Sequence, residues 1–213
     1  MKRLIITESQ LNRLQEARMD GFRFDALRNM SYAKKVKYCR QWLGFPIGNG
    51  SSRMVFQLDD DSVLKLAKNE KGVAQNELEY RMGNDWYISH MFPEVMNGSD
   101  EKGLWVVSEY VLPAKKADFK NVLGVPWDLT VMAIRNMHPV NGNWKVIHDI
   151  YEKYADNEKF IEFLNGMNDY ISSYDVPIPD LCTLRNWGLT KDGELKILDF
   201  GLDEYIWKKY YRK

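Results

Sequence analysis

The chain has 213 residues, in which 30 Lys and Arg balance 30 Asp and Glu, and 45% of the residues are hydrophobic. This length is sufficient for one domain with its own core, divided into two lobes at most. The zero formal charge argues against a protein that gains its affinity by neutralising many phosphates along a nucleic acid. We therefore do not expect a nucleic-acid partner.

The sequence also predicts a cytoplasmic protein without a membrane partner. No apolar run reaches the roughly 18–20 residues that a membrane helix needs, and the start, Met1–Glu8, becomes polar too early for a signal peptide. The two cysteines, Cys39 and Cys182, are too few for a disulfide framework or a cysteine zinc site, so free thiols are expected.

The first 44 residues are predicted to form an N-terminal helical extension. Thr7 is a suitable cap for a helix with apolar residues at three-residue spacing. A second helix is predicted over Tyr32–Leu43 from its apolar face.

From Gly44 the pattern becomes strand-like and turns are frequent. The acidic turn Asp59–Ser62 predicts a hairpin between the strands on either side of it. A helix and a second hairpin are expected to follow. The segments are strands Met54–Leu58 and Val63–Ala67, helix Val73–Met82, and strands Phe92–Met96 and Leu104–Val111.

After Pro113 helical patterns dominate until a last hairpin around the turn Thr190–Glu194. The ending, Trp207–Lys213, mixes aromatic and basic residues, and we expect a helix whose aromatic residues pack on the body rather than a basic binding tail. The predicted helices are Trp127–Met137, Trp144–Tyr154 and Glu158–Ser172, and the hairpin strands are Trp187–Leu189 and Leu195–Leu198. The fold class is therefore α+β.

Four groups of residues carry the candidate chemistry. Gly48–Ser52 is a glycine-containing loop before the first strand, a weak signal by itself because ordinary loops share this composition. Lys65 lies within an apolar strand, where a charge needs an anionic partner, and Glu77 or Glu79 on the following helix is a suitable one.

The other two groups lie near the end of the chain. Asp199, which follows an apolar strand and precedes Phe200 and Gly201, is suited to holding a magnesium ion that bridges phosphates. Asp180 and Asn186 form a carboxylate and amide pair upstream, suited to accepting a proton and holding a metal.

In this order the four groups resemble the protein-kinase-like superfamily. The loop from Gly48 to Val55 is similar to G-x-G-x-x-G-x-V with Arg53 at the third glycine, Val63-Leu64-Lys65 is similar to the V-A-I-K strand, and Asp199-Phe200-Gly201 matches the D-F-G motif. The resemblance covers about residues 45–203. It implies that ATP is held by Gly48, Asn49, Gly50, Ser51, Ser52, Val55 and Lys65, with Ser108, Glu109 and Val111 at the hinge that receives adenine.

The resemblance implies a bilobal fold of a compact, shortened bacterial or phage type. A small antiparallel sheet lobe over residues 45–111 would precede a mainly helical, shortened lobe over residues 112–213. The implied activity is transfer of a phosphoryl group from ATP to an unknown protein or small molecule. Lys65 would pair with Glu79, which we favour over Glu77, Asn186 and Asp199 would bind Mg²⁺, and Asp180 would be the base.

The catalytic loop departs from the family pattern. Five residues separate Asp180 from Asn186 instead of four, so the position of the base falls on Asp180 if the loop carries an insertion and on Leu181 if it does not. The usual catalytic-loop lysine is missing, and Arg185 is the candidate for its charge. Only residues 202–213 follow Gly201, so an activation segment and the usual peptide-docking helices are not expected. These departures keep open the alternative of a pseudokinase that binds nucleotides or partner proteins without catalysis.

Overall fold

The computed structural model describes residues 21–212 and has an α+β architecture. Within this range no helix is long and apolar enough to cross a membrane. The helix predicted after Thr7 lies outside the described residues. The described elements are helices α1 Phe24–Arg28, α2 Tyr32–Leu43, α3 Glu70–Gly83, α4 Lys116–Leu123, α5 Trp127–Asn136, α6 Trp144–Lys153, α7 Glu158–Ser173, α8 Ile178–Leu181 and α9 Glu204–Tyr210, and strands β1 Gly48–Asn49, β2 Arg53–Gln57, β3 Ser62–Ala67, β4 Trp105–Glu109, β5 Leu112–Pro113, β6 Trp187–Leu189 and β7 Leu195–Ile197.

The chain forms two compact units. Of the described residues, those up to Tyr80 together with Val95–Tyr110 form unit 1, and Arg81–Glu94 together with those from Val111 onward form unit 2. Helices α1 and α2, which the sequence assigned to an extension, thus belong to unit 1. The short segment Arg81–Glu94 belongs to unit 2 although it lies between two parts of unit 1 in sequence.

Unit 1 is built on an antiparallel sheet with strand order β1-β2-β3-β4. Side chains alternate between the two faces of the sheet, and the face that carries Phe56 and Leu64 packs against α1 and α2. Leu27 of α1 and Cys39 of α2 are fully buried in this core. The other members of the core are Met54, Leu58, Leu66, Trp105 and Val107.

Helix α3 is fixed to the backbone of unit 1 by Asn76. Its side-chain nitrogen donates hydrogen bonds to the carbonyl of Lys65 at 3.1 Å and to that of Gly103 at 3.0 Å. Gly103 has a φ of +70° and lies so close to α3 that a Cβ atom would collide with the carbonyl of Val73. The absence of a side chain there allows the loop before β4 to contact the helix.

Unit 2 is mainly helical and contains a small antiparallel sheet with the order β5-β6-β7. Its core is rich in aromatic rings, and the fully buried Trp187 of β6 contacts Phe119 of α4 at a ring separation of 5.5 Å and Phe163 of α7 at 5.7 Å. These contacts join the terminal hairpin to the helices, because large aromatic side chains bury much apolar surface.

Three local predictions were wrong or incomplete. The strand predicted over Phe92–Met96 does not form, and only Val95 makes an isolated bridge to Ser108. Pro93, which has no N–H group to donate, interrupts any ladder there. Helices α1, α4 and α8 were not predicted. At the C-terminus, where a helix with packed aromatic residues was predicted over Trp207–Lys213, α9 ends at Tyr210; Trp207 is exposed while Tyr210 and Tyr211 are half-buried, so the packing agrees only in part.

Candidate functional site

The strand register in unit 1 places several predicted site residues on the face of the sheet opposite α1 and α2. Val55 lies opposite Lys65, and Lys65 lies opposite Val106. Gly48 pairs with Val55 on the other side. Residues in one such row project to the same face. The row therefore brings Gly48, Val55 and Lys65 together, although Lys65 lies 17 positions after Gly48 in the chain.

Lys65 forms a buried ion pair with Glu79 of α3. The distance from Nζ to Oε2 is 2.7 Å, and the carboxylate is completely buried. Glu77, the alternative partner, is exposed on the same helix. The structure thus pairs Lys65 with Glu79 rather than Glu77, because α3 turns positions 76 and 79 toward the sheet and position 77 away from it.

A second cation, Arg53 of β2, contacts the other oxygen of Glu79. Its Nη1 atom lies 2.6 Å from Oε1, and the residue is 9% exposed. Burial by itself raises the pKa of Glu79, but the charges and hydrogen bonds of Arg53 and Lys65 outweigh it and lower that pKa below its usual value. Glu79 is therefore held as a carboxylate. Sequence reasoning missed Arg53 as a site residue and treated it only as a replaced glycine.

The loop over Gly48–Ser52 is tied to the segment that leads into α3. Lys68 donates from its backbone N–H to the carbonyl of Ser52 at 2.8 Å, and from Nζ to Asn49 at 2.9 Å and to Gly50 at 2.6 Å. Asn69 donates to the carbonyl of Ser51 at 3.1 Å. Ser52 also bonds Gln75 of α3 through its hydroxyl. These contacts fix the predicted phosphate loop in one position relative to Lys65.

The predicted hinge residues lie at the end of β4 and just after it. Ser108 is completely buried opposite Val63, and its hydroxyl has no hydrogen-bond partner within the described residues. Glu109, the last residue of β4, lies opposite Ser62 at the edge of unit 1. Val111 is the first buried residue of unit 2 after this strand.

In unit 2 the terminal hairpin positions the predicted metal ligands. The pairing of Trp187 with Ile197 continues in a hydrogen bond of 2.8 Å from the backbone N–H of Leu198 to the carbonyl of Asn186. Asn186 and Asp199 therefore flank the same end of this hairpin. The side-chain nitrogen of Asn186 donates to the carbonyl of Asp180 at 3.0 Å, which leaves the amide oxygen as the atom suited to a cation.

Asp180 lies near enough to Asp199 for their charges to interact. Partial burial and the negative charge of Asp199 raise the pKa of Asp180, while Arg185 opposes this rise. Leu181, the other candidate for the position of the base, is buried, and its carbonyl accepts a hydrogen bond of 2.8 Å from Trp187. The residue that offers a carboxylate at this end of the hairpin beside Asp199 is therefore Asp180.

Phe200 anchors this end of the hairpin in the core of unit 2. Its ring stacks on Phe92 at a centroid distance of 4.1 Å and an angle of 12°, and Phe92 meets Tyr170 of α7 edge to face at 5.0 Å. Phe200 is buried whereas Asp199 is exposed. The packing of Phe200 thus fixes the backbone next to Asp199, whose side chain is exposed.

The oxygen atoms around this hairpin suit a hard cation. Mg²⁺ prefers carboxylate and amide oxygens and retains several waters, and Asp199 and Asn186 supply one of each. The mutual repulsion of Asp180 and Asp199 would be relieved by a bound cation. An exposed cluster of His148, Asp149 and Glu152 on α6 could also bring three ligand atoms together, but exposed acidic groups need no metal.

Comparison with known proteins yields no relative. No protein-family model matches the chain, and neither the curated proteins nor the solved structures gave a significant match.

Proposed function

We propose that the chain is an ATP- and magnesium-dependent phosphotransferase with a shortened kinase-like bilobal fold, in which unit 1 and unit 2 are the two lobes. The observation that carries this proposal is the buried pair of Lys65 and Glu79, held between a strand and a helix beside a glycine-containing loop. A lysine kept in this position by a buried carboxylate suits the binding of a phosphate chain, because phosphoryl transfer depends mainly on positioning and charge neutralisation.

In the proposed reaction each group has a distinct role. Lys65 binds the phosphate chain of ATP, and Glu79 positions Lys65. Gly48, Asn49, Gly50, Ser51, Ser52 and Val55 line the nucleotide, and the adenine contacts Ser108, Glu109 and Val111. A magnesium ion held by Asn186 and Asp199 would neutralise charge on the phosphates.

Asp180 acts on the acceptor. The acceptor oxygen forms a bond to the γ-phosphorus while the bond from that phosphorus to the β-γ bridging oxygen breaks, and ADP leaves. The hydroxyl proton of the acceptor passes to Asp180. Arg185 adds positive charge near the transferred group. The acceptor is a protein or a small molecule with a hydroxyl group.

The first test is nucleotide binding measured by thermal unfolding. ATP with Mg²⁺ should stabilise the protein, by about 2.7 kcal/mol at a concentration 100 times its dissociation constant. Lys65→Met should abolish this stabilisation. Asp199→Asn should remove the dependence on Mg²⁺, whereas the matched control Asp192→Asn, in the exposed turn of the same hairpin, should behave as the wild type.

The second test separates catalysis from binding. Asp180→Asn should retain ATP binding and lose phosphoryl transfer, or ATP turnover if the acceptor is water. ATP binding by the wild type without any turnover against a panel of proteins and small molecules would instead support the pseudokinase alternative. No stabilisation by ATP, with or without Mg²⁺, would contradict both.

A further inference from the structure

Arg53 occupies a position that links three elements of unit 1. It lies on β2 opposite Ala67 of β3. Two residues further along β2, Val55 lies opposite Lys65. Arg53 and Lys65 are therefore diagonal neighbours on one face of the sheet. Asn76 and Glu79 lie three residues apart on α3 and present their side chains to this same pair of cations.

The contacts of Arg53 are suited to holding Glu79 in place. One nitrogen, Nη1, lies 2.6 Å from Oε1 of Glu79 and donates to Oδ1 of Asn76 at 3.4 Å. Asn76 is itself fixed by its two hydrogen bonds to backbone carbonyls. The guanidinium therefore connects the carboxylate of Glu79 to a rigid part of the unit through a single nitrogen.

We propose that Arg53 is a positioning residue of the nucleotide site, which keeps the carboxylate of Glu79 beside Lys65 both with and without bound nucleotide. This inference rests on the proposed function. A phosphate chain that binds Lys65 draws that lysine partly away from Glu79. Since a completely buried carboxylate that loses its partner is strongly unfavourable, Arg53 lets Lys65 share its charge with phosphate while Glu79 stays paired.

Arg53 also joins the predicted phosphate loop to α3. It stands at the third glycine position of that loop, and its contacts with Asn76 and Glu79 fix this end of the loop to the helix.

The electrostatics of Glu79 provide a specific readout. The cations that face it are Arg53 from β2 and Lys65 from β3. Because these cations outweigh burial and lower the pKa of Glu79, the stability that Glu79 contributes is present above its unfolded pKa of about 4.3. It is lost as the pH falls through the lower folded value. The part contributed by Arg53 must disappear over the same acidic range.

The test compares wild type, Arg53→Gln and Arg53→Lys by titration with ATP and Mg²⁺. Arg53→Gln should weaken ATP binding about tenfold, because Glu79 then depends on Lys65 alone and competes with phosphate for it. Arg53→Lys should bind within about threefold of the wild type, since it restores the charge without the guanidinium. Lys34→Gln is the matched control and should bind ATP as the wild type does, because it removes an exposed cation of α2, which lies on the other face of the sheet.

The second measurement is the free energy of unfolding of each protein between pH 2 and pH 7, a range that includes the acidic side of the unfolded pKa of Glu79. The stability difference between wild type and Arg53→Gln should be largest at pH 7 and should shrink as Glu79 becomes protonated. In a Glu79→Gln background the difference should not vary with pH. In the Lys34→Gln control, the pH dependence of the free energy of unfolding should be the same as in the wild type.

The outcomes are distinguishable. If Arg53→Gln binds ATP as tightly as the wild type, the positioning role is wrong and the proposed function still stands. The same holds if the difference in unfolding free energy between the wild type and Arg53→Gln does not change with pH. Wild-type protein that does not bind ATP overturns both. If Arg53→Gln does not fold, Arg53→Lys decides the question, because a loss of ATP binding as complete as that of Lys65→Met would exclude a role through the charge on Glu79.

Discussion

At the scale of single residues, the candidate site depends on a carboxylate that is kept charged in the core. Glu79 has no exposed surface, and an ionised carboxylate in such a place is costly unless cations and hydrogen bonds surround it. Arg53 and Lys65 supply both. A buried ion pair contributes little to stability on average, so this arrangement is better explained by a need to orient Lys65 than by a need for stability.

Gly72, at the beginning of α3, is the residue at which a single methyl group should be most harmful to this arrangement. A Cβ atom there would collide with the carbonyl oxygen of Ser52, which is backbone and cannot turn away. Gly→Ala within a helix ordinarily stabilises by about 0.5–1 kcal/mol, but the collision should prevail. We expect Gly72→Ala to lower the free energy of unfolding by about 1–3 kcal/mol, measured by urea denaturation.

Gly166→Ala in α7 is the matched control for Gly72→Ala. Its Cβ atom would approach the sulfur of Met91 at 2.7 Å and His90 at 2.9 Å, and both are ends of side chains that can move. The loss of stability should therefore be smaller than at Gly72. If Gly72→Ala were as stable as the wild type, the close packing of the loop on α3 would be refuted.

At the scale of elements, α1 and α2 complete the core of unit 1. A four-stranded sheet has two faces, and α3 together with the polar network covers only one of them. The opposite face carries large apolar residues such as Phe56 and Trp105, which are buried because α1 and α2 lie over them. These helices therefore act as a structural layer of the unit rather than as a separate appendage.

Leu27→Ala tests this role of α1. Leu27 is completely buried in the core of unit 1, and truncating a buried leucine costs about 2–5 kcal/mol. Chemical denaturation followed by circular dichroism should detect this loss. Phe45→Ala provides the control, because Phe45 is 92% exposed and its truncation should change stability by no more than about 0.5 kcal/mol. A loss below about 1 kcal/mol at Leu27 would contradict the packing.

The elements that sequence predicts well are those whose signals are local. Helix α2 is confirmed over Tyr32–Leu43, because its apolar period is regular and Gly44, with a φ of +85°, ends it. The failed strand at Phe92–Met96 shows the opposite case. Phe92 is buried because it stacks on Phe200, which lies 108 positions further along the chain, and not because it belongs to a strand. No local sequence pattern contains that information.

The candidate site follows the same division. The order of loop, lysine strand, helix glutamate and terminal carboxylate is visible in the sequence because each lies in a recognisable local pattern. The contribution of Arg53 was not visible, since it depends on the register between β2 and β3 and on the face that α3 presents to them. The sequence did contain one signal for this contact. Lys65 lies in one strand of the predicted hairpin and Arg53 lies directly before the other, both strands are mainly apolar, and each cation therefore needs an anionic partner.

At the scale of the whole molecule, the two units supply chemically opposite groups. In unit 1 the predicted phosphate ligand is a cation, Lys65. In unit 2 the predicted ligands are the carboxylates and the amide near the terminal hairpin. The chain has zero net charge, but the two predicted binding regions carry charges of opposite sign. A triphosphate should meet attraction in the first and repulsion in the second until a cation is present.

This difference predicts how the two units respond to nucleotide in hydrogen exchange. ATP with a metal chelator should slow amide exchange in unit 1 around residues 48–66, because the proposed contact of Lys65 with phosphate involves no metal. Addition of Mg²⁺ should extend the slowing to residues 180–200 of unit 2, where the proposed role of Asp199 is to bind that cation. Asp199→Asn should retain the first effect and lose the second. Slowing in unit 2 without Mg²⁺, or none in unit 1 under either condition, would contradict the assignment of phosphate to Lys65 and of metal to Asp199.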